Sequence, residues 1–512
     1  MKTTKPQDIT FDENYRSRFL KLREDQQYRL LEIIPGFLVW LTFISAIVIS
    51  FVKPLWAIYF IIIFDLYWLT RVMYLSVYLL HSWKIYKQTI KKDWFNILKT
   101  EKKDWSNYIH LIFLPTYKEP YEVIDNSFAS LAACKYDLKK MVVVLAGEER
   151  DIANFNNIKE KIKQKYSGVF YDLIFTIHPK NLPDEIPGKG SNLNFAGHQI
   201  LPYIKEKKWP IENVIVSSFD IDTRPHEQYF AYLTYRYLQM EDPTKVSYQP
   251  LAIYNNNIWE TPAPIRIIAY STTFWLLTDL ARPERLFTFS SHSMSLKMLI
   301  DVGFWQKDIV TEDSRIFLQG FCHYNGNYKV DPMYIPVSMN TVYTGSLWQG
   351  FKDQYKQMRR WAWGVENFPY QAWFYLKVKN LPFKKGLHYL WNQLEGVYSW
   401  ATAPILITIL GYLPLWVSKN VDKSSVIAQN APIVLQIIMN TAMIGLILSA
   451  VLTTFLMPWD KKKVKWWEYL IIPLQWILFP LGMIVFGSIP ATDAQTRLMI
   501  GKYLGFWVSG KK

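Results

Sequence analysis

The sequence predicts an α/β domain with a doubly wound, mostly parallel sheet, set between transmembrane helices. Three observations carry this. Between residues 109 and 219, short apolar runs rich in Val, Ile and Leu alternate with helical patterns. Strands alternating with helices imply a largely parallel sheet covered on both faces. Apolar stretches long enough to cross a bilayer, which takes about 20 residues, lie on both sides of that block. The chain is also 50% hydrophobic and 17% aromatic, with 22 Trp and 33 Tyr, a load that suits extensive membrane-interface surface.

Residues 1–32 are strongly charged and read as a cytosolic tail, with no signal-peptide pattern behind them. Its stretch Tyr15 to Leu31 is partly amphipathic and suits a membrane surface. Residues 33–82 read as a transmembrane hairpin, with runs Ile33–Val52 and Leu55–Leu80 joined at Lys53-Pro54. The second run carries Asp65 and Arg71, ionisable groups at membrane depth. Such groups are either functional or held by an internal polar contact, with snorkelling open to the arginine.

Residues 83–104 form a basic linker. The expected strands follow as Ile109–Pro115, Met141–Ala146, Leu173–Ile177 and Val214–Phe219, with helices over Glu122–Ala133, Ile152–Tyr166 and Leu193–Lys207. In such sheets ligands bind beyond the carboxyl ends of strands. Asp220 and Asp222 stand just past one such end.

Residues 346–395 read as interfacial helices, rich in aromatic and basic side chains from Gln349 to Leu376. Pro369 is expected to interrupt them, and Trp363 and Trp373 to anchor them at the membrane. Residues 396–490 form a second transmembrane region, with runs Val397–Val417, Pro432–Met457 and Tyr469–Ile489. The last run holds Pro473 and Pro480 and is expected to be broken or re-entrant, so the chain has five or six spans. Lys461–Lys463 place their loop in the cytosol, and residues 491–512 read as a second cytosolic tail. The expectation is a multi-pass protein of the cell membrane with a cytoplasmic catalytic domain.

Net charge is +15. Nucleic acid, anionic lipid and an anionic small substrate are its usual partners. No zinc-finger, RNA-binding or helix-turn-helix signature is present, which excludes a nucleic-acid reading. Membrane lipid and a phosphorylated substrate remain. The two cysteines, Cys134 and Cys322, lack C-x-x-C spacing and read as reduced thiols.

Four strings carry chemistry. Asp220-Ile221-Asp222 offers hard oxygen donors for Mg²⁺ or Mn²⁺. Asp313, in Thr311-Glu312-Asp313, opens a helical stretch and reads either as a base or as a capping residue. In Gln357-Met358-Arg359-Arg360-Trp361, Arg360 can hold a diphosphate and Trp361 can offer its face to a sugar, or both can anchor the helix to the membrane surface. Pro187-Gly188-Lys189-Gly190-Ser191-Asn192 is a glycine-flanked lysine entering a helix, suited to phosphate or to an ordinary helix start. Each string alone is short, and their order between membrane spans is the stronger signal.

Together these strings resemble family 2 glycosyltransferases of the GT-A fold, and more closely their membrane-integrated, cellulose synthase-like, processive branch. The likeness runs from Ile109 to Trp361 and implies a GT-A catalytic domain over residues 105–345. It implies Asp220 and Asp222 as metal ligands, and Asp313 as the general base with Glu312 beside it. Thr116, Tyr117, Glu119, Lys189, Asp220, Gln357, Arg360 and Trp361 become substrate-binding residues. Glu148 stands in Ala146-Gly147-Glu148-Glu149, where the family carries a base-contacting Asp. Phe289-Ser290-Ser291-His292-Ser293 replaces the Phe-Cys-Gly of cellulose synthases, so a different acceptor site is expected, with His292 in it. Phe506-Trp507-Val508-Ser509-Gly510-Lys511 resembles a cytosolic gating loop whose Lys511 would reach the diphosphate. The resemblance implies an inverting, metal-dependent transferase using Mg²⁺ or Mn²⁺ and a nucleotide-sugar donor, first of all a UDP-sugar. The acceptor would be a growing polysaccharide at the membrane, which the spans would also translocate. Two rivals are a non-processive transferase acting on a lipid-phosphate carrier and a transporter with a regulatory cytosolic domain.

Overall fold

The four expected strands form where β-branched and aliphatic residues run together. In the computed structural model, which describes residues 23–377, 382–417, 426–459 and 465–505, they are β1 (Ile109–Pro115), β2 (Met141–Glu148), β3 (Asp172–His178) and β4 (Val214–Ser218). Helices Tyr121–Ala132, Ile152–Tyr166 and Lys189–Glu206 lie between them. Both faces of β1, β2 and β4 are buried, which explains why these strands lack polar alternation.

Four further strands complete one eight-stranded sheet: β5 (Arg224–Pro225), β6 (Val246–Ile253), β7 (Ser293–Ser295) and β8 (Lys329–Ser338). The order is β3-β2-β1-β4-β7-β6-β8-β5. β1, β2, β3 and β4 pair in parallel, as do β6 and β8. β7 runs antiparallel between β4 and β6, and β5 antiparallel to β8. The sheet is therefore mixed. Because β7 is antiparallel, the segment entering it, Phe289–His292, arrives over the carboxyl end of β4, beside Asp220.

Among the described residues, five helical segments are long and apolar enough to cross a membrane: Glu24–Val52, Pro54–Thr89, Phe383–Val417, Gln429–Leu456 and Glu468–Met499. Pro54 opens the second, where its missing N–H costs nothing. The last is broken into short helical pieces around Pro473 and Pro480, with a π-helical turn at Met483–Ser488. Arg71 meets Glu395 of the third segment, its Nη2 standing 3.0 Å from Oε2, so it makes the internal polar contact. Asp65 is buried, and its Oδ1 has no hydrogen-bond partner among the described residues.

Two expectations on the aromatic stretch fail. The break between helices Leu347–Ala362 and Asn367–Lys377 is the turn Trp363–Glu366, and Pro369 sits inside the first turn of the second helix. A proline there displaces no helical N–H donor, so it starts a helix rather than breaking one. Trp363 and Trp373 are 1% and 3% exposed, not membrane anchors. Trp363 donates to Glu366 at 2.8 Å, and Trp373 packs edge-on against Tyr28. The gating-loop-like string with Lys511, residues 1–22 and Lys461–Lys463 lie outside the described residues.

The first and last spans are latched together. Arg29 donates to the Leu498 carbonyl at 2.7 Å and pairs with Glu32 at 2.6 Å, and Tyr503 donates to Glu32 at 2.8 Å. Gly36 permits the approach, since a Cβ there would sit 2.6 Å from the Gln495 carbonyl oxygen. Gly36→Val should cost about 1–3 kcal/mol through overpacking. Thermal unfolding of the purified protein in detergent checks it: a lowered midpoint is expected, and an unchanged one would mean these helices do not touch here.

Candidate active site

The residues that the sequence scatters over more than a hundred positions converge on one ammonium group. Lys189 opens helix Lys189–Glu206, following the extended Gly188. Its Nζ lies 2.7 Å from Asp220 Oδ1, 2.8 Å from Asp313 Oδ1 and 3.9 Å from Glu312 Oε1. Gly190 makes this possible, because a Cβ there would press on the Gln306 carbonyl at 2.9 Å and on Glu312 Cβ at 3.1 Å. Burial works against the lysine's charge, but Asp220, Asp313 and Glu312 outweigh it and hold its pKa well above the ordinary value.

Glu312 and Asp313 occupy the first turn of helix Glu312–His323, with Thr311 as the preceding residue. Asp313 is therefore not the cap, and its carboxylate faces Lys189. The two acids differ in access. Asp313 is 23% exposed, whereas Glu312 is 2% exposed and its Oε2 has no hydrogen-bond partner among the described residues. Burial, with the nearby Asp313 charge adding to it, pushes the Glu312 carboxyl up to about 8. A carboxyl in that state is neutral near pH 7. Asp313 is thus the accessible anion of the pair.

Asp220 follows β4 and takes a second hydrogen bond, from Ser290 Oγ at 2.6 Å. Ser291 lies in the left-handed region at φ 65°, and its hydroxyl is 2.7 Å from Thr223 Oγ1. A non-glycine residue there costs of order 1–3 kcal/mol, which a functional segment commonly sustains. The turn sets Ser290 on Asp220 and His292 Nδ1 3.8 Å from Asp313. His292 is fully buried, and burial lowers its pKa, so its ring is neutral. Nδ1 faces the Phe289 carbonyl at 2.7 Å and Nε2 has no partner among the described residues.

Asp222 is buried, and its Oδ2 accepts the Asn340 backbone N–H at 2.9 Å. No three His, Cys, Asp or Glu side chains form a complete metal cage among the described residues. Asp220 and Asp222 do fit a hard divalent cation that takes its remaining ligands from substrate phosphates. The carboxylates around Lys189 already hold a positive charge at this place.

Trp361 lies on helix Leu347–Ala362 and faces Tyr254, just past β6, at 5.8 Å between ring centroids. With Gln357, Gln354 and Thr341 these two rings line a recess. Burial first, then the Asp220 and Asp222 charges, raise the Tyr254 pKa and keep its phenol protonated, while Arg360 acts in the opposite sense on both Tyr254 and Glu312. The helix is tied to the base segment, since Thr311 donates to Glu366 and Arg315 to Asn367 at 2.7 Å.

The remaining expected residues lie at the neighbouring strand ends. Glu119 accepts from Thr116 Oγ1 at 2.8 Å and from the Tyr117 N–H at 2.5 Å, so it closes the turn after β1. Glu148, at the end of β2, accepts from Arg150 at 2.9 Å and lies 3.3 Å from His178 Nδ1. The Arg150 guanidinium stands over the Tyr117 ring at 4.6 Å. Ser290, Tyr254, Asn340 and Glu366 are site residues that sequence reasoning missed. The strand-end rule that found Asp220 also covers Tyr254 and Asn340, which follow β6 and β8.

A family model described as Glycosyl transferase family group 2 matches residues 215–484. No curated protein matches the chain. Among solved structures it is similar to a mannosyltransferase from Pyrobaculum calidifontis in complex with GDP-Man and Mn²⁺, at 15% identity over 76% of this chain and 100% of that one, with a TM-score of 0.40. It is also similar to a piece of S. aureus TarS in complex with UDP-GlcNAc, at 13% identity over 68% of this chain and 91% of that one, with a TM-score of 0.36.

The buried Glu312 carboxyl has a pH signature. Its folded pKa of about 8 lies above the ordinary 4.5, so the folded state binds this proton more tightly. That stabilisation is present below about 4.5 and is lost as pH rises through about 8. Glu312→Gln keeps a neutral side chain throughout. Over that window the wild-type melting temperature should fall relative to the variant's. Parallel profiles would mean that folding does not raise the Glu312 pKa.

Proposed function

The chain belongs to glycosyl transferase family group 2 and is a glycosyltransferase, and we propose that it moves a sugar, with inversion, from a nucleoside-diphosphate sugar to a hydroxyl of a growing polysaccharide at the membrane. One observation carries this reading: a single ammonium bridges Asp220 and Asp313 at 2.7 and 2.8 Å. It joins a carboxylate suited to the leaving diphosphate with a carboxylate suited to be the base.

Asp313 takes the proton from the acceptor hydroxyl, whose oxygen bonds to the anomeric carbon as the bond to the diphosphate breaks. While Lys189 spans the two acids, its ammonium engages the Asp313 carboxylate. An arriving diphosphate draws the ammonium toward itself, which frees Asp313 as a base when a donor is in place. Arg360 adds a second cation to the leaving group. Asp220 and Asp222 would hold Mg²⁺ or Mn²⁺, which would supply Lewis-acid neutralisation of the departing diphosphate. The recess between Trp361 and Tyr254 offers aromatic faces and Gln357 to the acceptor sugar. The five candidate spans support a membrane setting, and the basic loop residues of the sequence favour a cytoplasmic side for the catalytic domain.

The test is nucleotide release from a panel of nucleotide-sugars by the purified protein, with sizing of the saccharide product. Asp313→Asn should slow transfer by about 10²–10⁴-fold while donor binding persists. Chelation should abolish turnover, and Mg²⁺ or Mn²⁺ should restore it. Near-normal turnover by the variant would remove Asp313 from the base role, and full activity in chelator would remove the cation from Asp220 and Asp222.

A further inference from the structure

A second cluster of charge lies away from the Lys189 site, where two spans meet the catalytic domain. Arg71 comes from the second span, Glu395 from the third, and Asp279, Arg282 and Arg285 from the end of helix Ala263–Leu280 and the turn after it. Arg71 pairs with Glu395, and Arg282 with Asp279. Arg285 has neither a salt bridge nor a side-chain hydrogen bond among the described residues. Burial lowers its pKa; Asp279 and Glu395 oppose this, and Arg282 and Arg71 add to it. All five charged groups therefore share one electrostatic neighbourhood. Three guanidiniums here face two carboxylates. Glu284, the next acid, is exposed and makes no ion pair with any of them.

Two details fit an anion-binding role. Arg282 is 4% exposed, and its buried Nε has no acceptor among the described residues. A buried donor to a charged group is rarely left unmade, because desolvation without a partner costs of order 1–3 kcal/mol. Arg285 is half-buried and holds an unneutralised charge beside it. The depth is also informative. Arg71 lies about 25 Å along its helix from Pro54, near the far edge of a hydrocarbon layer about 30 Å thick. The Tyr74 and Tyr78 rings stand 6.0 and 5.9 Å from the Arg282 guanidinium. Tyrosines at that level mark the headgroup region of a membrane.

We propose that Arg71, Arg282 and Arg285 form a phosphate-binding site at headgroup depth that holds an anionic lipid against the catalytic domain. Guanidinium forks suit phosphate oxygens, and paired arginines keep two of the three forks oriented. The segment Leu286–Phe289 leads from this cluster to Ser290 on Asp220. An occupied site therefore steadies the same turn that carries the donor-side carboxylate's partner.

Native mass spectrometry of the full chain, purified in detergent and supplied with phosphatidylglycerol or phosphatidylcholine, reads this out. Phosphatidylcholine carries the same phosphodiester but cancels its charge. The wild type should retain phosphatidylglycerol in preference, and Arg285→Gln should lower that retention by about tenfold. Glu284→Gln should leave it unchanged, and both variants should melt near the wild-type temperature. Equal retention by wild type and Arg285→Gln would overturn the site. A stabilisation by inorganic phosphate that Arg285→Gln abolishes, with no lipid retained, would assign the arginines to a free anion and overturn the lipid assignment.

Discussion

The ammonium of Lys189 is the constraint on which the site depends. A lysine that is only 9% exposed would shed its proton without partners, and the carboxylates of Asp220 and Asp313 beside it prevent that. The converse holds as well. Asp220, Asp313 and Glu312 share one small volume only because a cation sits among them. Glu312 lies deepest and gives up its charge, leaving Asp220 and Asp313 as the two accessible anions. Helix Lys189–Glu206, the end of β4 and helix Glu312–His323 are thereby pinned to one point. The glycine at 190 keeps backbone and Glu312 close enough for that geometry.

Around this point the protein is built as successive layers of orientation. Ser291 accepts a left-handed backbone so that Ser290 reaches Asp220 and His292 approaches Asp313. Glu366 ties the base segment to the turn after helix Leu347–Ala362, and Arg359 of that helix meets Asp493 at 2.8 Å on the final span. Asp493 also takes Tyr355 at 3.1 Å and Arg497 at 2.7 Å. The Q-M-R-R-W string thus sets Trp361 against Tyr254 and joins Arg359 to the final span. The last span is thereby joined to the helix that lines the recess beside Tyr254.

Much of this was legible in the sequence where a physical period or a terminal rule applied. Aliphatic runs marked β1 to β4 within a residue or two, and in β1, β2 and β4 both faces are buried. The carboxyl-end rule placed Asp220 and Asp222, and the glycine-flanked Lys189 stood out as entering a helix. Other features leave no local trace. The antiparallel β7 is three residues long, too short to carry a pattern, yet it delivers Ser290 and His292. Asn340 reaches Asp222 with a backbone N–H, which any residue but proline could supply. Trp363 and Trp373 read as membrane anchors because an aromatic ring on a basic helix looks the same against lipid as against protein. Pro369 read as a break because its place within a helix is invisible until the helix start is known. Glu119 and Glu148 stand at the ends of β1 and β2, where the strand-end rule looks for ligand contacts.

The central claim is that Lys189 couples the donor-side acid to the base. A double-mutant cycle on the rate of nucleotide release, using Lys189→Met and Asp313→Asn in the full chain, measures this most directly. Groups in one ion-pair network show interaction energies of about 0.5–3 kcal/mol, whereas independent groups add to within about 0.5 kcal/mol. The account predicts that the double variant is slowed much less than the two single effects combined. Strictly additive effects would show that Lys189 and Asp313 act separately, and would contradict it.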